Sequence, residues 1–176
     1  MGERKWQRWE VAGLFFAIGV GNLLHFVYEW SGEHVIAALF SSVNESTWEH
    51  MKLLAVPWVV WSAVELAALR GASMLGARAA GLLAGLATIP ALYYTYTGAL
   101  GVNSSLVNIS IFQVAVLLAF GVSFSLGKRR RLSGGLWQLL GGAVLVGMTA
   151  LLIWWTFVPP TLPLFVDPVT GLAGRT

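Results

Sequence analysis

Val43-Asn-Glu-Ser-Thr-Trp-Glu-His-Met-Lys52 is a polar, doubly acidic run between two strongly apolar segments, and its reading organises the whole chain. Ser42-x-x-Glu45 and Ser46-x-x-Glu49 both match a capping box, in which a hydroxyl and a glutamate satisfy unpaired N–H groups of a first helical turn. The run is therefore expected to start a helix that continues into the apolar residues beyond Lys52. One glutamate suffices for the cap, so the other is left over. Glu45, Glu49 and Lys52 would share one face of that helix, with His50 about a quarter-turn from Glu49. The same geometry makes Trp48 an expected anchor at a membrane interface.

Composition explains the apolar flanks. Of the 176 residues, 57% are hydrophobic and 11% charged, with a mean hydropathy of +0.72. A soluble domain carries about a quarter charged residues. The deficit extends over the whole length and implies one integral membrane domain covering residues 1–176. Cysteine is absent, which excludes disulfides, thiolate metal ligands and cysteine nucleophiles. The basic start Met-Gly-Glu-Arg-Lys-Trp-Gln-Arg8 precedes an apolar run, as in a signal peptide. No small-residue cleavage site follows cleanly, and Asn22, His25 and Glu29 interrupt the far end, so an uncleaved first membrane helix is expected.

Five runs are long enough to cross ~30 Å of hydrocarbon at about 1.5 Å per residue. They cover residues 11–29, 53–69, 79–97, 106–126 and 136–158, with Pro57 inside the second and Pro90 inside the third. Residues 35–43 are too short to span and are expected to lie in the interface or re-enter. The expected fold is an all-α membrane bundle of about five helices with a short segment between the first two. Five crossings gather every basic residue except Lys52 and Arg175 at one end, while Glu29, Glu33, Glu45, Glu49 and Asp167 fall at the other. By the positive-inside rule the N-terminus is then inside and the C-terminus outside. Trp6, Trp9 and Trp137 would mark the inner interface, and Trp30, Trp48, Trp154 and Trp155 the outer one.

The outer end collects the chemistry. Asn22, His25 and Glu29 fall within one stripe of the first helix, at a depth where a polar side chain requires a partner. His25, Glu29, Glu45 and Glu49 are metal-ligand types acceptable to zinc or iron, and Glu49 with His50 is the candidate base and acid pair. Asn22, Asn44, Lys52, Tyr94, Tyr96 and Asp167 are candidate binding residues around them. Glu65 lies near the inner end, where it pairs most simply with Arg70 or Arg78. Gly81-x-x-x-Gly85 and Gly141, Gly142 and Gly147 permit close helix approach and leave a homo-oligomer open. The apolar tail of residues 159–171 is expected to fold back over the outer face, with Asp167-Pro168 opening a turn that Gly171 closes.

Leu24-His-Phe-Val-Tyr-Glu-Trp-Ser31, Phe40-Ser-Ser-Val-Asn-Glu-Ser-Thr-Trp-Glu-His-Met-Lys52, Tyr93-Tyr-Thr-Tyr-Thr-Gly98 and the stretch from Phe157 to Gly171 together resemble a family of small multi-pass membrane proteins, domain of unknown function 6512. After Gly171 this chain has Leu172-Ala173-Gly174 where the family pattern has an aromatic before the next glycine. The resemblance implies a bacterial membrane protein, hence the bacterial inner membrane, and no established activity.

Three classes of function remain open. The first is a divalent-metal or cation site, hydrolytic if a metal-bound water is the nucleophile. No His-Glu-x-x-His is present, and no helix supplies two histidines at ligand spacing. The second is a lipid-binding or structural module, with membrane lipid as the partner. The third is a small transporter or channel, for which Glu65 alone near the inner end provides little polar path. No feature points to nucleic acid.

Overall fold

A computed structural model describes residues 3–69 and 74–175. They form six helices: α1 (Glu3–Trp30), α2 (Val35–Ala38), α3 (Thr47–Ala68), α4 (Leu75–Leu100), α5 (Ser105–Lys128) and α6 (Gly135–Phe157). All but α2 are long and apolar enough to cross a membrane. Among the described residues the only strand-like feature is one antiparallel bridge between Val166 and Ala173. The chain is thus an all-helical protein with the character of a multi-pass membrane protein.

The five long helices alternate in direction. Glu10 of α1, Glu65 of α3 and Arg78 of α4 meet at one end, which we call the N-terminal end. The close of α1, the start of α3, the close of α6 and the tail meet at the other, the tail end. Helix α3 is central: Trp58, Leu54 and Ala55 are fully buried in the core, together with Leu82, Ala115, Val116, Ala119 and Leu152 from α4, α5 and α6.

Small residues decide how closely the helices approach. A β-carbon on Gly81 would lie 2.6 Å from the Ala119 carbonyl oxygen, and one on Gly85 would lie 3.1 Å from the Ala115 carbonyl oxygen. The glycine pair of α4 is therefore used inside the bundle, against α5. Gly141 is tighter still: its β-carbon would sit 2.4 Å from the Leu75 carbonyl carbon and oxygen. Gly147, two turns along the same helix, has nothing within 4 Å.

Arg78 corrects one expectation about charge. It does not flank a connection at the surface but is fully buried in α4, where it ion-pairs with Glu65 and lies 3.2 Å from the Glu10 carboxylate. Its guanidinium also lies over the rings of Trp58, Phe120 and Trp6, at 5.0, 5.2 and 5.7 Å. Of the two partners expected for Glu65, Arg78 is the one it meets; Arg70 lies outside the described residues. Tryptophan use is also corrected. Trp6 and Trp48 are buried packing residues, whereas Trp30, Trp137 and Trp154 are exposed. The indole of Trp48 packs on Trp155 and Phe165 and donates to the Leu152 carbonyl at 3.2 Å.

Gly141→Ala is expected to lower the thermal stability of the detergent-solubilised protein by ~1–3 kcal/mol, because the added methyl meets backbone rather than a movable side chain. Gly147→Ala should leave it unchanged or raise it by up to about 1 kcal/mol through helix propensity. Melting curves of the two variants, read side by side, check the packing of α6 on α4.

Candidate functional site

The segment between α1 and α3 builds the tail end. Gly32 takes φ +67° after α1, and one turn of helix, Val35–Ala38, follows with Ala37 and Ala38 buried. Residues 39–46 then run through turns to Ser46, the N-cap of α3. The short segment therefore packs on the end of the bundle. Ser46 caps through its hydroxyl, which accepts from the Glu49 N–H at 3.3 Å. Its own N–H donates to Asn44 Oδ1 at 2.9 Å, a local Asx turn. The capping box is thus half made: Glu49 does not reach back to Ser46, because its carboxylate is used elsewhere.

That use is an ion pair. Lys52 Nζ lies 2.7 Å from Glu49 Oε2, with both side chains buried at 0% and 1% exposure. The ammonium also donates to the Ala38 carbonyl and to Thr156 Oγ1, both at 2.8 Å. Thr156 in turn donates to Glu49 Oε1 at 2.7 Å, and the Val43 N–H donates to Oε2 at 3.1 Å. Three ammonium donors and both carboxylate oxygens are satisfied. The expected roles of Glu49 as metal ligand or general base, and of Lys52 as a binding residue, do not fit this geometry. Both oxygens of Glu49 are hydrogen-bonded, its charge is balanced by Lys52, and the pair is shut off from solvent.

Glu45 is placed quite differently. It precedes the helix rather than sharing its face, so the expected row of Glu45, Glu49 and Lys52 does not form. Its carboxylate turns instead between two histidines: Oε1 is 3.4 Å from His25 Nε2, and Oε2 is 3.6 Å from His50 Nε2. The two imidazole rings are 5.4 Å apart, and one ligand atom from each of His25, Glu45 and His50 lies within 4.8 Å of the others. Here α1, the loop and α3 each contribute one group.

Hydrogen bonds at Nδ1 orient both rings. His50 Nδ1 faces the Ser46 carbonyl at 2.9 Å, and a carbonyl only accepts, so Nδ1 carries the proton. Ser42 Oγ lies 3.2 Å from His25 Nδ1 and 3.4 Å from the His25 carbonyl oxygen, and so holds the ring by its Nδ1 edge. Both rings therefore turn Nε2 toward Glu45. With both Nε2 atoms turned onto one carboxylate, three atoms of metal-ligand type converge within 4.8 Å of one another.

The remaining expected site residues divide by location. Asn22 donates to the Ile18 carbonyl at 2.7 Å and accepts from Gln113 Nε2 at 3.3 Å, bridging α1 to α5 beneath the histidines. Glu29 is one turn farther along α1 than His25, and its side chain is exposed, away from the group around Glu45. Asn44 donates to the Gly174 carbonyl at 2.9 Å and so holds the tail. Tyr96 shapes the α4–α5 loop, with its hydroxyl 2.5 Å from Asn108 Oδ1 and accepting from the Ser104 N–H. Tyr94 lines a separate apolar groove beside the prolines of the tail. Asp167 forms the expected turn, accepting from the Val169 N–H at 2.7 Å and the Thr170 hydroxyl at 3.0 Å, while Gly171 closes it at φ +74° and donates to the Asp167 carbonyl. The tail does fold back, and Arg175 reaches the Tyr28 hydroxyl at 3.1 Å.

Ser42 was not legible as a site residue, although it orients His25, because Ser42-x-x-Glu45 reads as a capping box. A cavity of about 280 Å³ opens against the three groups, with His25, Glu45 and His50 in its wall. A second, smaller recess reaches Glu45 and His50 from the side of Tyr93.

The family of unknown function DUF6512 matches residues 2–175. The chain belongs to that family. No curated protein and no solved structure matches it. Membership in DUF6512 carries no assigned chemistry, so the residues themselves must supply the functional reading.

The two glutamates of the opening run are expected to part company on mutation. Glu49→Gln leaves Lys52 as an unbalanced buried charge and should destabilise the protein by ~3–5 kcal/mol. Glu45→Gln, at a side chain 46% exposed, should change stability by less than about 1 kcal/mol. Thermal unfolding in detergent, followed by circular dichroism, measures both.

Proposed function

We propose that His25, Glu45 and His50 bind a divalent transition metal, of the zinc or ferrous-iron class, at the tail end of the bundle. The observation that carries this reading is the pair of Nε2 atoms turned onto one carboxylate by hydrogen bonds at both Nδ1 positions. Each imidazole Nε2 is within 3.6 Å of an oxygen of Glu45 and one ligand atom from each residue lies within 4.8 Å of the others, against roughly 3.3–3.5 Å between ligands about 2.0–2.1 Å from a tetrahedral ion. Two imidazoles and one carboxylate form a donor set that both zinc and non-haem iron accept. Three protein ligands leave a coordination position for water or another ligand, as in metal sites that do chemistry rather than hold a fold.

A bound ion would act as a Lewis acid toward a ligand in the cavity, and a water on it would be a nucleophile near neutral pH. Hydrolysis is the reaction class this supports. Glu49 would not serve as its general base, because it is held by Lys52 and Thr156. With the basic residues concentrated at the opposite end, the site faces outward from a bacterial cytoplasmic membrane.

Zinc or cobalt titration of the metal-stripped protein tests the assignment. One equivalent should bind, and His25→Ala, His50→Ala and Glu45→Gln should each abolish stoichiometric binding while Glu29→Gln leaves it intact. Ser42→Ala, which removes the hydroxyl beside His25 Nδ1, should weaken affinity by ~10–100-fold. Because imidazole must be unprotonated to coordinate, affinity should also fall on acidification. Absence of binding by the wild-type protein would refute the proposal.

A further inference from the structure

The cavity beside the candidate metal site has two unlike halves. Its polar half carries His25, Glu45 and His50, with Asn22 and Asn108 next to them. Its other half is made of Phe26, Leu53, Ile109 and Phe112. Gly21 closes that half on the inner side, since even a β-carbon there would lie 2.4 Å from the Phe112 ring and 2.7 Å from the Leu53 carbonyl oxygen. The cavity therefore does not continue down the middle of the bundle.

Its openings lie elsewhere. At the end of the bundle it is bounded by Glu45 and Ser105, both exposed. Along its flank it is bounded by Phe26 of α1 and Ile109 of α5, which are 45% and 52% exposed. Those two side chains lie on helices that are apolar enough to span a membrane, so in a bilayer this flank would face lipid. A slot with a polar end at the interface and an apolar mouth toward the bilayer matches an amphiphile.

Size narrows the occupant. Sites that enclose a whole small ligand run to about 300–1,000 Å³. About 280 Å³ accommodates a headgroup and the first carbons of a chain, with the remainder lying outside between α1 and α5. A fully water-soluble ligand of that size would leave Phe26 and Ile109 with no role in the site.

We propose, resting on the metal reading above, that the ligand completing the coordination sphere is an anionic oxygen of a membrane lipid, which enters sideways between α1 and α5. The metal takes the headgroup oxygen, and the exposed apolar pair Phe26 and Ile109 receives the start of the chain. The protein is then a lipid-headgroup binder whose substrate or ligand arrives from the bilayer.

Cobalt-loaded protein in non-ionic detergent provides the test, because the visible spectrum of the bound ion responds when its ligands change. The probes are lysophosphatidic acid and glycerol 3-phosphate, its headgroup without the chain. The lipid is expected to perturb the spectrum at a concentration at least ten-fold lower than the soluble headgroup. Ile109→Trp, which fills the flank opening at an exposed position, should retain the cobalt and lose that preference; Ile109→Asp, with a negative charge at the same mouth, should do the same. Retained cobalt shows that the variants are folded. Equal potency of the two probes, an unchanged preference in both variants, or a spectrum that neither probe alters would overturn the lipid assignment and leave the metal site standing. Failure of wild-type protein to bind cobalt would overturn both.

Discussion

Lys52 is the interaction on which the tail end depends. An ammonium in a solvent-excluded place is tolerated only when each of its donors has a partner, and this one has three: Glu49, the Ala38 carbonyl and Thr156. Those partners belong to three separate parts of the chain, α3 itself, α2 and α6. Satisfying one charge therefore fixes the loop of residues 39–46 over the end of the bundle. The consequence reaches Glu45, because a loop tied at Ala38 and Val43 has little freedom in where it presents its next side chains. The structural ion pair thus positions the candidate site without belonging to it.

The two polar groups of the tail end differ in the property that separates scaffolding from chemistry. Around Glu49 every donor and acceptor is matched, and the network is closed to solvent. Around Glu45 the histidine nitrogens aim at the carboxylate from 3.4 and 3.6 Å, longer than a direct charged hydrogen bond of about 2.7–2.9 Å, and a cavity adjoins them. That half-accessible group, oriented from both sides, is the one on which the proposed metal site rests.

At the N-terminal end a second buried charge is held by ion pairs and aromatic faces, with Arg78 Nε and one oxygen each of Glu10 and Glu65 left without a hydrogen bond among the described residues. Arg78 is shared by Glu10 and Glu65 and walled by Trp58, Phe120 and Trp6. One guanidinium thereby joins α1, α3 and α4, with Phe120 of α5 against it and Ser123 of α5 donating to Glu10 at 3.1 Å. Charge that composition assigns to the inner surface is here an internal clasp. A positive residue counted toward orientation can thus be a packing residue once helices surround it.

What the sequence determined by itself was the class and layout of the fold. Five apolar runs of sufficient length, the polar break at residues 43–52, and the tail turn at Asp167 to Gly171 all follow from local properties: hydropathy, helix rise and the backbone demands of proline and glycine. The stripe bearing His25 and the run bearing His50 were legible because intramembrane polar groups are costly and few. What only the tertiary structure decided was the division of labour among them. Glu45 and Glu49 are four residues apart and read alike as candidates on one helix face, yet the helix begins at Thr47 and separates them. Which carboxylate is neutralised depends on Lys52 meeting Thr156, 104 residues away, and which remains available depends on His25 arriving from another helix. Those encounters are long-range, and no periodicity or spacing in a single sequence encodes them.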